Sequence, residues 1–171
     1  AASGGGGKYT WDYMTGFGGG AGANAANKEL MWKRAKGYMD CVAYSGTGSA
    51  RTQTHSLGVV PEMIWVKSRA NSKNWAVYHP SSHAAGNTLF LNLDNGGSGV
   101  GGFQSTAVSD TTFNVDTAEE TNRSGWTYVA YLFATLAGIS KVGSYTGNGY
   151  NQTINCGFSA GARFILIKRI G

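Results

Sequence analysis

YSGTGSARTQTHSLGVVPEMIWVK, residues 44–67, is the stretch whose reading decides the fold. It opens on Tyr-Ser-Gly-Thr-Gly, where glycine lets a strand end and turn. A polar segment carrying Thr52 follows, then a small loop. It closes on MIWVK, in which Met63, Trp65 and Lys67 alternate with Ile64 and Val66, as a strand requires. Nearly the same sentence returns as YTGNGYNQTINCGFSAGARFILIK, residues 145–168, offset by 101 residues (Tyr44 against Tyr145). Without a gap, Gly46 meets Gly147, Gly48 meets Gly149, Thr52 meets Thr153, Ile64 meets Ile165 and Lys67 meets Lys168. Each copy therefore reads as strand, turn, polar strand, loop and an apolar strand whose trailing lysine reaches solvent. The first copy runs on through SRANSKNWAVYHP, a turn and a return strand, but the second stops at Ile170-Gly171. Its last strand would leave backbone groups unpaired. The expectation is a piece of a longer polypeptide, or a missing strand supplied by another chain through β-addition.

Outward from the repeat the period stays near two. Trp75, Val77 and His79 alternate with Ala76 and Tyr78, and Leu89, Leu91 and Leu93 with Phe90 and Asn92. WTYVAYLFA, residues 126–134, is apolar on both faces, which marks a central strand covered on both sides. Gly, Asn, Asp and Ser punctuate the gaps. Strands arrive every ~10 residues with no strand–helix alternation, the rhythm of an antiparallel sandwich or barrel. The predicted class is all-β: an antiparallel, jelly-roll-like β-sandwich over residues 31–171, its second repeat, from about residue 141, incomplete. Residues 1–30 read as a glycine- and aromatic-rich arm or linker. Its Tyr9, Trp11, Tyr13 and Phe17 want a surface, so the arm is expected to pack on its own domain or on a neighbouring chain. NKELMWKRAKG, residues 27–37, fits a short helix ended by Gly37 or an extended segment.

Composition agrees. The 171 residues include 27 glycines, and charged residues are 13%, about half the usual ~25%. The formal charge of +5 comes from cations that are scattered rather than gathered on one motif, so nucleic acid is not an expected partner. No apolar run approaches the ~20 residues of a membrane span. Cys41 and Cys156 sit among apolar or small residues and read as buried free thiols. The N-terminus lacks Met and a signal-peptide profile, and looks like the start of a fragment or processed piece.

Taken together, MWKRAKGYMDCVAYSGTGSARTQTHSLGVVPEMIWVKSR, NWAVYH, YVAYLFA and KVGSYTGNG…INCGFSAGARFILIKR resemble a domain of bacteriophage structural proteins. That domain recurs in tail-fibre and other appendage proteins of tailed, especially marine, phages. The resemblance covers Met31 to the C-terminus. In that family the second repeat continues into another Trp-containing strand, which this sequence lacks. The resemblance implies a virion component, mostly β and homo-oligomeric, joined to other virion proteins, with no enzymatic activity and no site to carry over. A carbohydrate-binding module and a capsid decoration protein are the alternatives kept.

Chemistry is sparse. His55, His79 and His83 with Glu62, Asp94, Glu119 or Glu120 are the sharpest catalytic or metal-binding set. No Gly-x-Ser-x-Gly elbow, His-x-His or HExxH supports them, so no catalytic, cofactor or metal residue is assigned. Glu119 and Glu120 are expected in a turn. GGSGVGG, residues 96–102, lacks the Lys-Ser/Thr of a phosphate loop and reads as a long flexible hairpin tip. Loops on a rigid scaffold carry recognition, so Arg69, Lys73, Tyr78, His79 and His83 are the surface-recognition candidates, with a host-surface glycan as ligand. Trp75 alternates cleanly and reads as core.

Overall fold

A computed structural model describes residues 10–13, 16–18, 32–83, 87–94, 96–99, 101–104 and 108–169. The chain divides into two units, Ala1–Trp32 and Lys33–Gly171. In the first, β1 (Thr10–Tyr13) and β2 (Gly16–Gly18) pair antiparallel. How the rest of the arm packs lies outside the described residues, as does the part of the 27–37 segment before Trp32. From Trp32 to Gly37 that segment is not helical. Gly37 instead takes a positive φ of 73° in a tight turn in which Ala35 and Met39 exchange main-chain hydrogen bonds of 3.0 Å.

The second unit is all-β. Its strands are β3 (Met39–Ser45), β4 (Arg51–Thr54), β5 (Met63–Ser68), β6 (Ala76–Tyr78), β7 (Leu89–Phe90), β8 (Thr112–Val115) and β9 (Thr127–Phe133). One helical turn, α1 (Pro80–His83), follows β6. Five strands form an antiparallel sheet in the order β3-β9-β5-β6-β7, and β4 pairs β8 in a second. As its two-faced apolarity requires, β9 is central, with Ala130 opposite both Val42 and Val66.

Strand alternation then decides what is buried. Tyr128, Ala130 and Leu132 of β9, Ile64 and Val66 of β5, and Ala76 and Phe90 share one face. They close on Phe113 and Val115 of β8, with Leu57 and Phe103 filling in from loops. Burial of each such aliphatic side chain is worth about 1.5–3 kcal/mol. Tyr44 stacks on Tyr128 at 5.4 Å and meets Phe113 edge-on at 6.2 Å, and its hydroxyl donates to Thr121 O at 2.7 Å. Burial, and secondarily Tyr128 beside it, push that hydroxyl far above the ordinary tyrosine range.

Several expected strands are shorter than the alternation suggests. The third ends at Phe90, and Leu91 to Asp94 form a turn. There Asn92 Oδ1 accepts from Trp75 N at 2.9 Å, replacing a ladder bond. The glycine-rich 96–102 stretch is not a free hairpin tip. Its Ser98 exchanges main-chain hydrogen bonds of 2.8 and 2.9 Å with Thr88, and Gly102 O accepts from Thr121 Oγ1 at 2.7 Å.

The largest correction concerns the second copy of the repeat. Residues 141–169 carry no strand. Phe164, Ile165, Leu166 and Ile167 are 50%, 69%, 44% and 65% exposed, where Ile64 and Val66 are sealed. The left-handed turn does recur, at φ 74° for Gly48 and 79° for Gly149, because a turn is set by its own residues. A strand is not. β5 is held on one edge by β9 and on the other by β6. Among the described residues β9 is already committed to β3 and β5.

Candidate functional site

The recognition candidates fall at the two ends of the β5–β6 hairpin. Arg69 and Lys73 occupy the connecting loop. Its backbone is shaped by Ser68 Oγ, which accepts from Ala70 N at 3.3 Å and Asn71 N at 3.2 Å. Arg69 is exposed and its N–H donates to Thr127 O at 2.7 Å. Lys73 is tied down: its Nζ pairs with Glu119 Oε2 at 2.7 Å and lies 5.9 Å from the Trp126 ring centre. Glu119 also pairs with Arg123, whose guanidinium covers Trp126 at 5.0 Å. Lys67 is half-buried, and its ammonium is held at the strand end rather than left free in solvent. Its Nζ donates to the carbonyls of Asn71 at 3.2 Å and Lys73 at 2.8 Å, closing the loop on itself. Glu119 and Glu120 do sit in a turn.

Tyr78, His79 and His83 lie at the other end. Tyr78 turns inward, meeting Phe103 edge-on at 5.7 Å, so burial raises its hydroxyl's pKa. His83 belongs to α1, and its side chain lies outside the described residues. His79 lines a shallow cleft of about 180 Å³ with Glu62, Pro80, Ser81, Val142, Gly143 and Ser144. Burial lowers the His79 pKa below the ordinary histidine value, against smaller opposite pulls from the Gly143 main chain and Glu62. The ring is therefore neutral at pH 7.

The cleft holds serine, histidine and carboxylate together, but not in a relay. His79 Nδ1 accepts from Ser81 N at 3.3 Å, where a triad would have it donate to the acid. The Glu62 carboxylate accepts instead from Thr135 N at 2.7 Å and Thr135 Oγ1 at 2.5 Å. Ser81 Oγ faces Ser144 Oγ at 3.4 Å rather than the imidazole. His55 is elsewhere, buried under β8. Its Nδ1 accepts from Leu57 N at 3.2 Å, so its proton is on Nε2 and directed at Ser109 O, 3.2 Å away. Among the described residues no three His, Cys, Asp or Glu side chains are grouped to hold a metal ion, and no helix is long and apolar enough to cross a membrane. Cys41 and Cys156 are free and only half-buried.

Sequence reasoning missed Asn122, which lies inside TNRSGW and was legible only as part of a turn. It is fully buried. Its Nδ2 donates to Ser49 O at 2.6 Å and Asp116 O at 2.8 Å, and its Oδ1 accepts from Thr47 N at 2.9 Å. One side chain thus ties the 46–50 turn to the 116–126 loop that carries it.

A family model described as a domain of unknown function (DUF7483) matches residues 9–171. No curated protein and no solved structure matches the chain.

Proposed function

The chain belongs to the DUF7483 family, and we propose that it is a non-enzymatic structural module of a phage particle. Its place is an external appendage such as a tail fibre or spike, where it assembles with copies of itself and with other virion proteins. One observation carries this reading. The chain holds two versions of a single strand unit, one built into a sandwich and one displayed with its apolar residues in water. An exposed row Phe164-Ile165-Leu166-Ile167 is costly for a protein that stays alone. It is useful to one that is finished by a neighbour. Virion parts gain stability from repeated symmetric contacts of this kind. Host-surface contact falls to the 69–75 loop, where Arg69 is the exposed cation. The indole of Trp126 lies beneath Arg123, and Trp75, half-buried, stacks on Tyr131 at 6.3 Å. Those contacts favour a packing role for both rings over an open platform for sugar.

Sedimentation equilibrium on the purified chain tests the proposal. The expected result is a mass that rises with concentration to a defined multimer. A monomer at every concentration up to about 100 µM, beyond the range of most specific assemblies, would overturn it.

A further inference from the structure

β3 is an edge of the five-stranded sheet, and its seven residues make it the longest edge strand described. It runs against β9 without a bulge. Gly46 N donates to Trp126 O and Ala134 N to Tyr38 O, so even-numbered residues bond to β9 and the main-chain groups of odd-numbered ones point away from the sheet. Some of those outer groups are engaged. Met39 exchanges hydrogen bonds with Ala35, Cys41 N donates to Asp40 Oδ1 at 2.8 Å, and Ser45 O accepts from Arg51 Nη1 at 3.2 Å. Among the described residues nothing meets Cys41 C=O, either main-chain group of Ala43, or Ser45 N–H.

These four groups complement themselves. Two β3 strands set antiparallel, Ala43 opposite Ala43, satisfy all of them: each Ala43 N–H donates to the other Ala43 carbonyl, and each Ser45 N–H to the other Cys41 carbonyl. The groups already engaged, Cys41 N–H and Ser45 C=O, are the two that would have faced each other. Shifting the register by two residues in either direction sets Ala43 against an engaged group of Ser45 or Cys41. No proline, lysine or bulge guards the stretch from Cys41 to Ser45. Asp40, the one charge on β3, precedes that stretch and is already met by Arg34 and Ser56 N.

We infer that two copies of the chain join β3 to β3 across a two-fold axis at Ala43, merging their five-stranded sheets into one. This rests on the assembling role proposed above and names one of its contacts. The occupant is a second copy because β3 itself offers, in reversed order, the donors and acceptors that β3 lacks. The side chains agree. Residues directly opposite share a face, so Val42 lies against the partner's Tyr44. Both are only partly buried against the core in the single chain, and pairs without main-chain hydrogen bonds bring side chains closest. On the other face Ala43, small and exposed, meets itself, and half-buried Cys41 meets exposed Ser45. The contact is isologous, so it closes with two copies. One strand pair buries less than the ~1,000 Å² of a stable interface, so the pairing is concentration-dependent.

Disulfide trapping reads the register. In a Cys41→Ser, Cys156→Ser background, Ala43→Cys under mild oxidation is expected to give a disulfide-linked dimer, because the paired Cα atoms stand about 5.5 Å apart. Ser45→Cys in the same background is equally exposed and on the same edge. It should give much less, since the two copies of residue 45 lie about 13 Å apart along the strands. With Cys41 left native, Ser45→Cys should trap again through Cys41 of the partner subunit. Separately, Ala43→Lys sets like charges at the axis and should weaken self-association at least about tenfold. The melting curve of the dilute single chain should change little, because Ala43 is exposed. Self-association undiminished by Ala43→Lys, or trapping no stronger at position 43 than at 45 in the Cys41→Ser background, overturns the β3 pairing and leaves the assembly proposal standing. Absence of any multimer in the parent chain overturns both.

Discussion

Gly46→Ala is expected to destabilise the sandwich by about 3 kcal/mol or more, and Gly147→Ala, its partner in the repeat, by less than about 0.5 kcal/mol. A Cβ at Gly46 would stand 2.2 Å from Arg123 O, 2.9 Å from Asn122 C and 2.9 Å from Tyr128 Cε2. Two of those three atoms are backbone and cannot step aside. At Gly147 a Cβ meets nothing within 4 Å. Neither glycine has a positive φ, so the contrast is steric rather than conformational. For a domain of this size the first change should lower Tm by roughly 6–12 °C, read by thermal melting of both variants. Equal effects at the two positions would mean that the second copy is folded like the first.

Asn122→Ala is expected to cost about 2–4 kcal/mol, since it leaves Ser49 O, Asp116 O and Thr47 N without the partner that holds them. Asn122 is also engaged through its own main chain: Gly48 N donates to its carbonyl at 2.7 Å, and its N–H donates to Ala118 O at 2.8 Å. The side-chain bonds therefore sit on a fixed backbone, and the truncated site cannot relax cheaply. Asn122→Asp keeps the volume and the acceptor for Thr47 N but turns an oxygen toward two carbonyls, so it should destabilise at least as much. Urea unfolding of both variants checks this. A loss below about 0.5 kcal/mol for Asn122→Ala, the range of ordinary surface changes, would show that the loops are held by something else.

Fold class was legible because burial follows a period of two. Tyr128, Ala130 and Leu132 are sealed while Val129 and Tyr131 between them are half-exposed, so β9 is central as residues 126–134 suggest, but it is fully covered on one face and not on both as expected. Turn positions were legible for a local reason: Gly48 and Gly149 take the same left-handed conformation from the same Gly-x-Gly spelling. Pairing was not legible. MIWVK and FILIK are the same kind of strand on paper, and the presence of β9 and β6 alongside separates β5 from the exposed residues 164–167. Buried polar tethers escaped for a related reason. Asn122 has no periodic signature, and Lys67 reads as a solvent-seeking strand end until the loop it caps is seen. The recognition candidates were chosen as one group, whereas Arg69 and Lys73 lie at the opposite end of the hairpin from His79.

Amide hydrogen exchange measures the central claim most directly: that the apolar residues 165–167, exposed in the single chain, become ordered on assembly. In dilute solution the amides of Ile165 to Ile167 should exchange at rates close to those of an open chain, while those of Ile64 and Val66 in β5 exchange only with global unfolding. Raising the concentration until the multimer forms should slow the 165–167 amides and leave β5 unchanged. Slow exchange at 165–167 in the dilute single chain, or fast exchange that persists in the multimer, would contradict it.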